Sequence, residues 1–182
     1  HDWGSVVGWS AVLSNPSRII SWTALSFPHP AAFGAALLDD PDQQDRSSYV
    51  AFFQTPWLPE TVFSFNNFGI LKALLTGMSD EKMKEYINVF SEPGALTSAL
   101  NWYRALGDEL LFEVEGIESL EVKIPTLFLW GNQDQSVGRV AVDGMAELMK
   151  GPYTNIELEA GHWLFVDQPE RVISEILIHI DQ

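Results

Sequence analysis

Cysteine is absent from the 182 residues. Its absence excludes disulfides and thiol catalysis, and leaves the cellular compartment open. Basic residues are scarce, at 10 Lys+Arg against 25 Asp+Glu, for a formal net charge of −15. Nucleic acids and anionic membrane surfaces both call for a basic face, so neither is expected as a partner. No apolar run reaches the roughly 18–20 residues of a membrane-spanning helix. The sequence shows no internal repeat and no low-complexity segment. It opens on HDWGS, with neither an initiating Met nor a secretory leader, and this start reads as the middle of a longer domain.

Hydrophobic residues make up 46% and charged residues 19%, so the chain can bury a core and is not disordered. Its length suits one domain, or a small core carrying an insert. Seven Trp and eleven Phe point to aromatic-lined cavities.

Residues 4–14 (GSVVGWSAVLS) read as a buried helix stopped by Asn15-Pro16. Ile19 to Leu25 (IISWTAL) reads as a strand that is apolar on both faces. Pro28, His29 and Pro30 then break the chain. From there to about Leu106 the segments AAFGAALLDD, SSYVAFFQ, NNFGILKALLTG, SDEKMKEYINVF and GALTSALNWYRAL predict an all-helical block. Ser79 is a good N-cap, followed by acids in the first turn. After Asp108 the expected elements are a buried strand over Pro125–Trp130, a helix over Val140–Met149 and a strand over Asn155–Glu159. Last comes an amphipathic helix over Pro169–Ile180, with Pro at its first position. Strands joined by helices predict a parallel α/β sheet, here with a helical insert between two of its strands.

Three residues beside strand ends could carry chemistry. Asp2 lies in H-D-W-G just before a helix, where the dipole and backbone N–H groups favour an ionised carboxylate. Gly4 would allow the tight turn that this presentation needs. Asp134 follows a strand in LFLWGNQD, and His162 follows the last strand in EAGHW. Taken singly, each suits a plain structural role. Together they run nucleophile, acid, histidine, the chain order of an α/β-hydrolase triad with Asp in place of Ser. An Asp nucleophile forms an alkyl-enzyme ester, which suits ring opening or halide displacement. His29 and His179 read as structural or surface residues.

With these motifs in hand, the chain resembles the α/β-hydrolase epoxide hydrolases over essentially its whole length. The elbow His1 to Gly4 is similar to theirs, and Thr23 to Pro30 (TALSFPHP) resembles their entry into a cap. Tyr49 to Gln54 (YVAFFQ) and Leu100 to Arg104 (LNWYR) resemble the two cap segments that each supply a tyrosine. Trp130 to Asp134 (WGNQD) resembles the acid loop, and Ala160 to Trp163 (AGHW) the histidine loop. The fold this implies is the C-terminal part of an α/β-hydrolase parallel sheet with an inserted helical cap. Residues 1–28 and 108–182 would form the core, and residues 29–107 the cap.

The resemblance implies a two-step hydrolysis without metal or organic cofactor. Asp2 would attack an epoxide carbon while Tyr49 and Tyr103 hydrogen-bond the epoxide oxygen. His162, oriented by Asp134, would then activate a water to cleave the ester, giving a vicinal diol. A phenol suits the acid role because its unperturbed pKa of about 10 keeps it protonated at pH 7. The Trp3 backbone N–H would be one oxyanion donor. Phe27, Phe53, Trp57 and Phe63 could line an apolar pocket for a small hydrophobic epoxide, together with Trp102, Leu164 and Phe165.

The family's domain also has an N-terminal half, with the first five strands and a loop giving a second oxyanion donor. The expectation is a fragment, poorly stable and nearly inactive alone, or one completed by a separate chain. The nearest rival function is haloalkane dehalogenation, with which Trp3 beside Asp2 is compatible; the tyrosine pair argues for the epoxide. A catalytically silent binding module would lack one of the five groups, and an esterase would pass through an anhydride at Asp2. A cytoplasmic location is the default expectation, and a homodimer is compatible with the sequence.

Overall fold

The computed structural model describes residues 1–75, 78–106 and 119–181. The expected return from insert to core at 107/108 lies outside the described residues, as do Thr76 and Gly77 at the end of one expected helix. Two compact units are present: His1–Ser47 with Leu111–Gln182, and Ser48–Leu110.

The first unit is built on a parallel sheet of β1 (Trp22–Leu25), β2 (Thr126–Gly131) and β3 (Tyr153–Leu158), in the order β1-β2-β3. Ala24 pairs with Phe128, and Phe128 with Asn155. β2 is buried at all six positions, which explains its unbroken apolar run. Its side chains alternate between two cores. Phe128 and Trp130 join Trp9, Val12, Ala24 and Met145, while Leu127 and Leu129 join Leu158, Leu164 and Val172.

Helix α1 (Trp3–Ser14) packs on this sheet. Trp9 is fully buried and donates its indole N–H to the Phe27 carbonyl at 3.2 Å. A Cβ at Gly8 would overlap the Trp22 ring, so glycine is required there. After β1 come α2 (Pro30–Asp39) and α3 (Pro41–Arg46). His29 is fully buried and caps α2, accepting the Ala31 N–H at Nδ1. Burial pushes its pKa down to about 4, so it is neutral at pH 7 and structural. His179 is buried too, which settles the choice between core and surface for both histidines.

The second unit holds α4 (Tyr49–Gln54), α5 (Leu58–Leu74), α6 (Asp80–Ser91) and α7 (Ala95–Arg104). Phe63, Leu96 and Leu100 form its core, with Phe52, Phe53 and Phe90 against them. Ser79 caps α6 as expected, accepting the Lys82 N–H at 3.3 Å. α5 kinks where Asn66, Asn67 and Phe68 turn left-handed, at φ 50°, 51° and 59°. The N-N pair that opens the expected helix therefore marks a break, because asparagine tolerates that conformation.

Three element boundaries depart from expectation. β1 begins at Trp22 rather than Ile19, because its ladder opens with the Trp22 N–H on the Pro125 carbonyl. Ile20 is left 90% exposed. The helix expected over Val140–Met149 is α8 (Arg139–Asp143) followed by a 3₁₀ turn over Gly144–Glu147, tightening at a glycine seated against Ala32. β3 starts two residues early, at Tyr153, because β2 pairs with it from Thr126 onwards. Also unforeseen are α3, a 3₁₀ turn over Pro16–Arg18 and the short α9 (Leu164–Asp167). The closing α10 spans Pro169–Ile180, as expected. Among the described residues no helix is long and apolar enough to cross a membrane.

Candidate active site

Parallel strands send their C-terminal ends to one edge of a sheet, and the loops there converge. Asp134 lies three residues past β2 and His162 four past β3. Asp2 stands immediately before α1, with its N–H on the carbonyl of Leu25 at the end of β1.

The three side chains form one line. His162 Nδ1 lies 2.8 Å from Asp134 Oδ2, and His162 Nε2 lies 3.2 Å from Asp2 Oδ1. The Asp134 carboxylate is fully buried. Its other oxygen accepts the N–H groups of Ser136 at 2.7 Å and Val137 at 3.1 Å. One carboxylate oxygen is thus committed to its own loop and the other to the imidazole.

The backbone at Asp2 has φ 53° and ψ −124°, a strained conformation for a residue with a Cβ. Strain of this kind costs about 1–3 kcal/mol and belongs to sharp elbows that present a nucleophile. It falls on Asp2 and not on Gly4, which sits inside α1 without a positive φ. The tight turn assigned to Gly4 from the sequence is therefore made by Asp2 itself.

Burial alone would raise the pKa of Asp2, but His162, the Trp3 backbone N–H and the N-terminal charge together outweigh it and hold the carboxyl below its ordinary range. For His162, burial favours the neutral ring, yet hydrogen bonds and charge from Asp134 and Asp2 raise its pKa to about 9. At pH 7 the free site therefore holds an imidazolium between two carboxylates. Because this pKa lies above the unfolded value of 6.5, the stabilisation is fully present below pH 6.5 and is lost as pH rises through about 9. Relative to a His162→Gln variant, the native protein should lose up to about 3 kcal/mol between those pH values. Urea unfolding of both proteins at pH 6, 8 and 10 measures that difference.

Two supports of the histidine loop carry no local sequence signal. Ser26, fully buried and left-handed at φ 63°, donates its hydroxyl to the His162 carbonyl at 2.7 Å. His1 Nε2 donates to the same carbonyl at 2.9 Å, and its ring meets the His162 ring edge-on at 4.8 Å. The third support is a close approach, since a Cβ at Gly131 would overlap the carbonyl oxygens of Ala160 and Gly161. Gly131→Ala should therefore displace this loop. Overpacking of that kind costs about 2 kcal/mol, or about 4–8 °C in Tm for a chain of this size, readable by calorimetry.

In the second unit, Tyr49 on α4 and Tyr103 on α7 lie with ring centroids 6.0 Å apart. Both rings pack edge-on against Phe53, at 5.1 Å and 4.8 Å. Arg104 fixes this end of α7 with a two-pronged ion pair to Glu60, at 2.7 and 2.8 Å. The residues expected to line a pocket divide three ways. Phe27, Phe63 and Leu164 are core residues of their units. Phe53 is half-buried between the tyrosines, and Phe165 is 38% exposed beside His1. Trp57 and Trp102 are 82% and 52% exposed. Trp3, half-buried, follows Asp2 as the first residue of α1.

No protein-family model matches the chain. A crystal structure of a Bacillus megaterium epoxide hydrolase in complex with an inhibitor superposes with a TM-score of 0.85 at 25% identity, covering 100% of this chain and 68% of that one. The chain has the α/β-hydrolase fold. Human "Epoxide hydrolase 4" is 35% identical to the chain in an alignment that covers 94% of the chain and 49% of the human protein. "AB hydrolase superfamily protein YfhM" of Bacillus subtilis is 31% identical over 99% of the chain and 64% of its own length. The chain thus spans about half the length of the curated epoxide hydrolases it matches.

Proposed function

We propose that this chain of α/β-hydrolase fold carries the catalytic groups of an epoxide hydrolase, opening a small hydrophobic epoxide to a vicinal diol through an ester on Asp2. The observation that carries this reading is the unbroken line Asp2–His162–Asp134, with a carboxylate where a serine would stand in an acyl-transfer enzyme. The names of its relatives support the same substrate class.

In the first step an Asp2 oxygen attacks one epoxide carbon, and the carbon–oxygen bond of the ring breaks. The departing oxygen stays tethered, so an acid must meet it as charge develops. Tyr49 and Tyr103, paired on Phe53, are assigned that role. Esterification removes one of the two negative charges beside His162. Its pKa then falls, and the ring's proton passes through solvent to the opened oxygen and its phenol partners, leaving a hydroxyl there and a neutral imidazole that can act as a base. In the second step His162, oriented by Asp134, takes a proton from water, which adds to the ester carbonyl. The Trp3 backbone N–H is assigned as a donor to the resulting oxyanion. Release of the diol restores the Asp2 carboxylate.

The cap role is assigned to the helices between residues 29 and 107, and Phe53 and Phe165 to the apolar lining. Halide displacement is the less favoured reading, because it has no use for a paired set of phenols. Styrene oxide and a chloroalkane separate the two. Diol from the first and no halide from the second is the expected outcome. Halide release, abolished in Trp3→Phe, would reverse the assignment.

A further inference from the structure

Asp134 is gripped by an element that the chemistry above does not use. Helix α3 starts from Asp40, whose carboxylate accepts the N–H groups of Asp42 and Gln43 at 3.2 and 3.3 Å. Gln43 is fully buried, and both ends of its amide are engaged. It donates to the Ser136 carbonyl and the Ser47 hydroxyl, each at 2.9 Å, and accepts the Gly138 N–H at 2.8 Å. One turn on, Arg46 donates to the Asp134 carbonyl and pairs with Asp42 at 2.7 Å. The backbone of the acid loop is therefore held at residues 134, 136 and 138. The seat is tight, since a Cβ at Gly138 would lie 3.0 Å from the Asp42 carboxylate and 3.4 Å from Arg46 and Gln43.

A buried amide is costly unless its donors and acceptor are paired, and pairing it to one loop at two points fixes that loop's register. The N–H groups of Ser136 and Val137 sit between those points and close on Asp134 Oδ1. Their direction decides which oxygen remains for His162. We propose that Gln43 and Arg46 are positioning residues that hold the acid loop so that Asp134 Oδ2 faces His162 Nδ1. The proposal rests on the reading of His162–Asp134 as the base of the ester-cleaving step. A leucine at 43 would fill the volume and leave the loop unspecified.

The test uses the protein with Gln43→Leu, Arg46→Met and Arg46→Lys. Near-UV circular dichroism and melting monitor the fold. The first readout needs no substrate: the His162 titration midpoint and its Nδ1–H resonance by NMR. His162 faces Asp2, Asp134 and the His1 ring, and of these only the Asp134 contact should change. Gln43→Leu and Arg46→Met should lower the midpoint by at least one pH unit, and Arg46→Lys should recover at least half of that. If Gln43→Leu does not fold, Gln43→Glu carries the same expectation, since it keeps the acceptor for Gly138 and loses the donor to Ser136.

The second readout is single turnover of styrene oxide. Ester breakdown should slow at least tenfold, with ester formation changed less than threefold. Folded variants with an unaltered His162 midpoint and ester breakdown within twofold of the native rate would overturn the proposal. A native chain that forms no ester, while the variants shift the midpoint, upholds the positioning role and overturns the epoxide reading instead.

Discussion

A His162→Gln variant given styrene oxide should gain one substrate mass and keep it. The first step needs an ionised Asp2 and an acid for the ring oxygen, and glutamine removes neither. The second step needs a base for water, and glutamine cannot supply one. A general base of this kind contributes about 10²–10⁴-fold, so steady-state turnover should fall by about that factor while ester formation persists. The glutamine amide can occupy much of the imidazole's volume between Asp134 and Asp2, so the fold should survive, with its loss of stability smallest above about pH 9, where the imidazolium no longer contributes. Intact mass spectrometry reads the adduct. An Asp2→Asn, His162→Gln double variant should show none. An adduct that survives in the double variant would place the nucleophile elsewhere.

The tyrosine pair should show an effect of similar size on the other step. Tyr49→Phe and Tyr103→Phe each remove one phenol and keep the ring that packs on Phe53. The edge-on contacts are retained, so the melting temperature should move little. Removing one donor to a developing oxyanion costs about 10²–10³-fold, and two donors sharing one oxygen need not act additively. Ester formation, followed by quenched mass spectrometry, should slow at least tenfold in each single variant and at least a hundredfold in the double. Ester breakdown, measured on preformed adduct, should change less than threefold. A double variant that alkylates within threefold of the native rate would remove both tyrosines from the reaction.

The parts of this architecture carried by local chemistry were legible in the chain. β2 is an unbroken apolar run because helices cover both its faces, and α10 announces itself by Pro169 and a clear amphipathic period. The order Asp2, Asp134, His162 was visible because each follows or precedes an element with a strong pattern. What stayed hidden depends on partners far away in sequence. α3 reads PDQQDR, with no apolar face to reveal a helix, and Asp40-Pro41 was its only local mark. Its function is to bind a loop about ninety residues on, through Gln43 and Arg46. Ser26 and His1 meet the His162 carbonyl across still larger gaps, of 136 and 161 residues. The length of β1 is hidden for the same reason: IISWTAL reads as strand throughout, and only the pairing with Thr126 to Leu129 sets where the strand begins.

Oxygen labelling reaches the covalent step at Asp2 most directly. A single turnover of styrene oxide by excess native chain in ¹⁸O-water should yield diol without the label, because its new oxygen comes from the Asp2 carboxylate. The peptide containing Asp2 should then carry ¹⁸O, delivered when water cleaves the ester at its carbonyl carbon. Label in the first-turnover diol, with Asp2 unlabelled, would mean that water attacks the epoxide directly and that no ester forms.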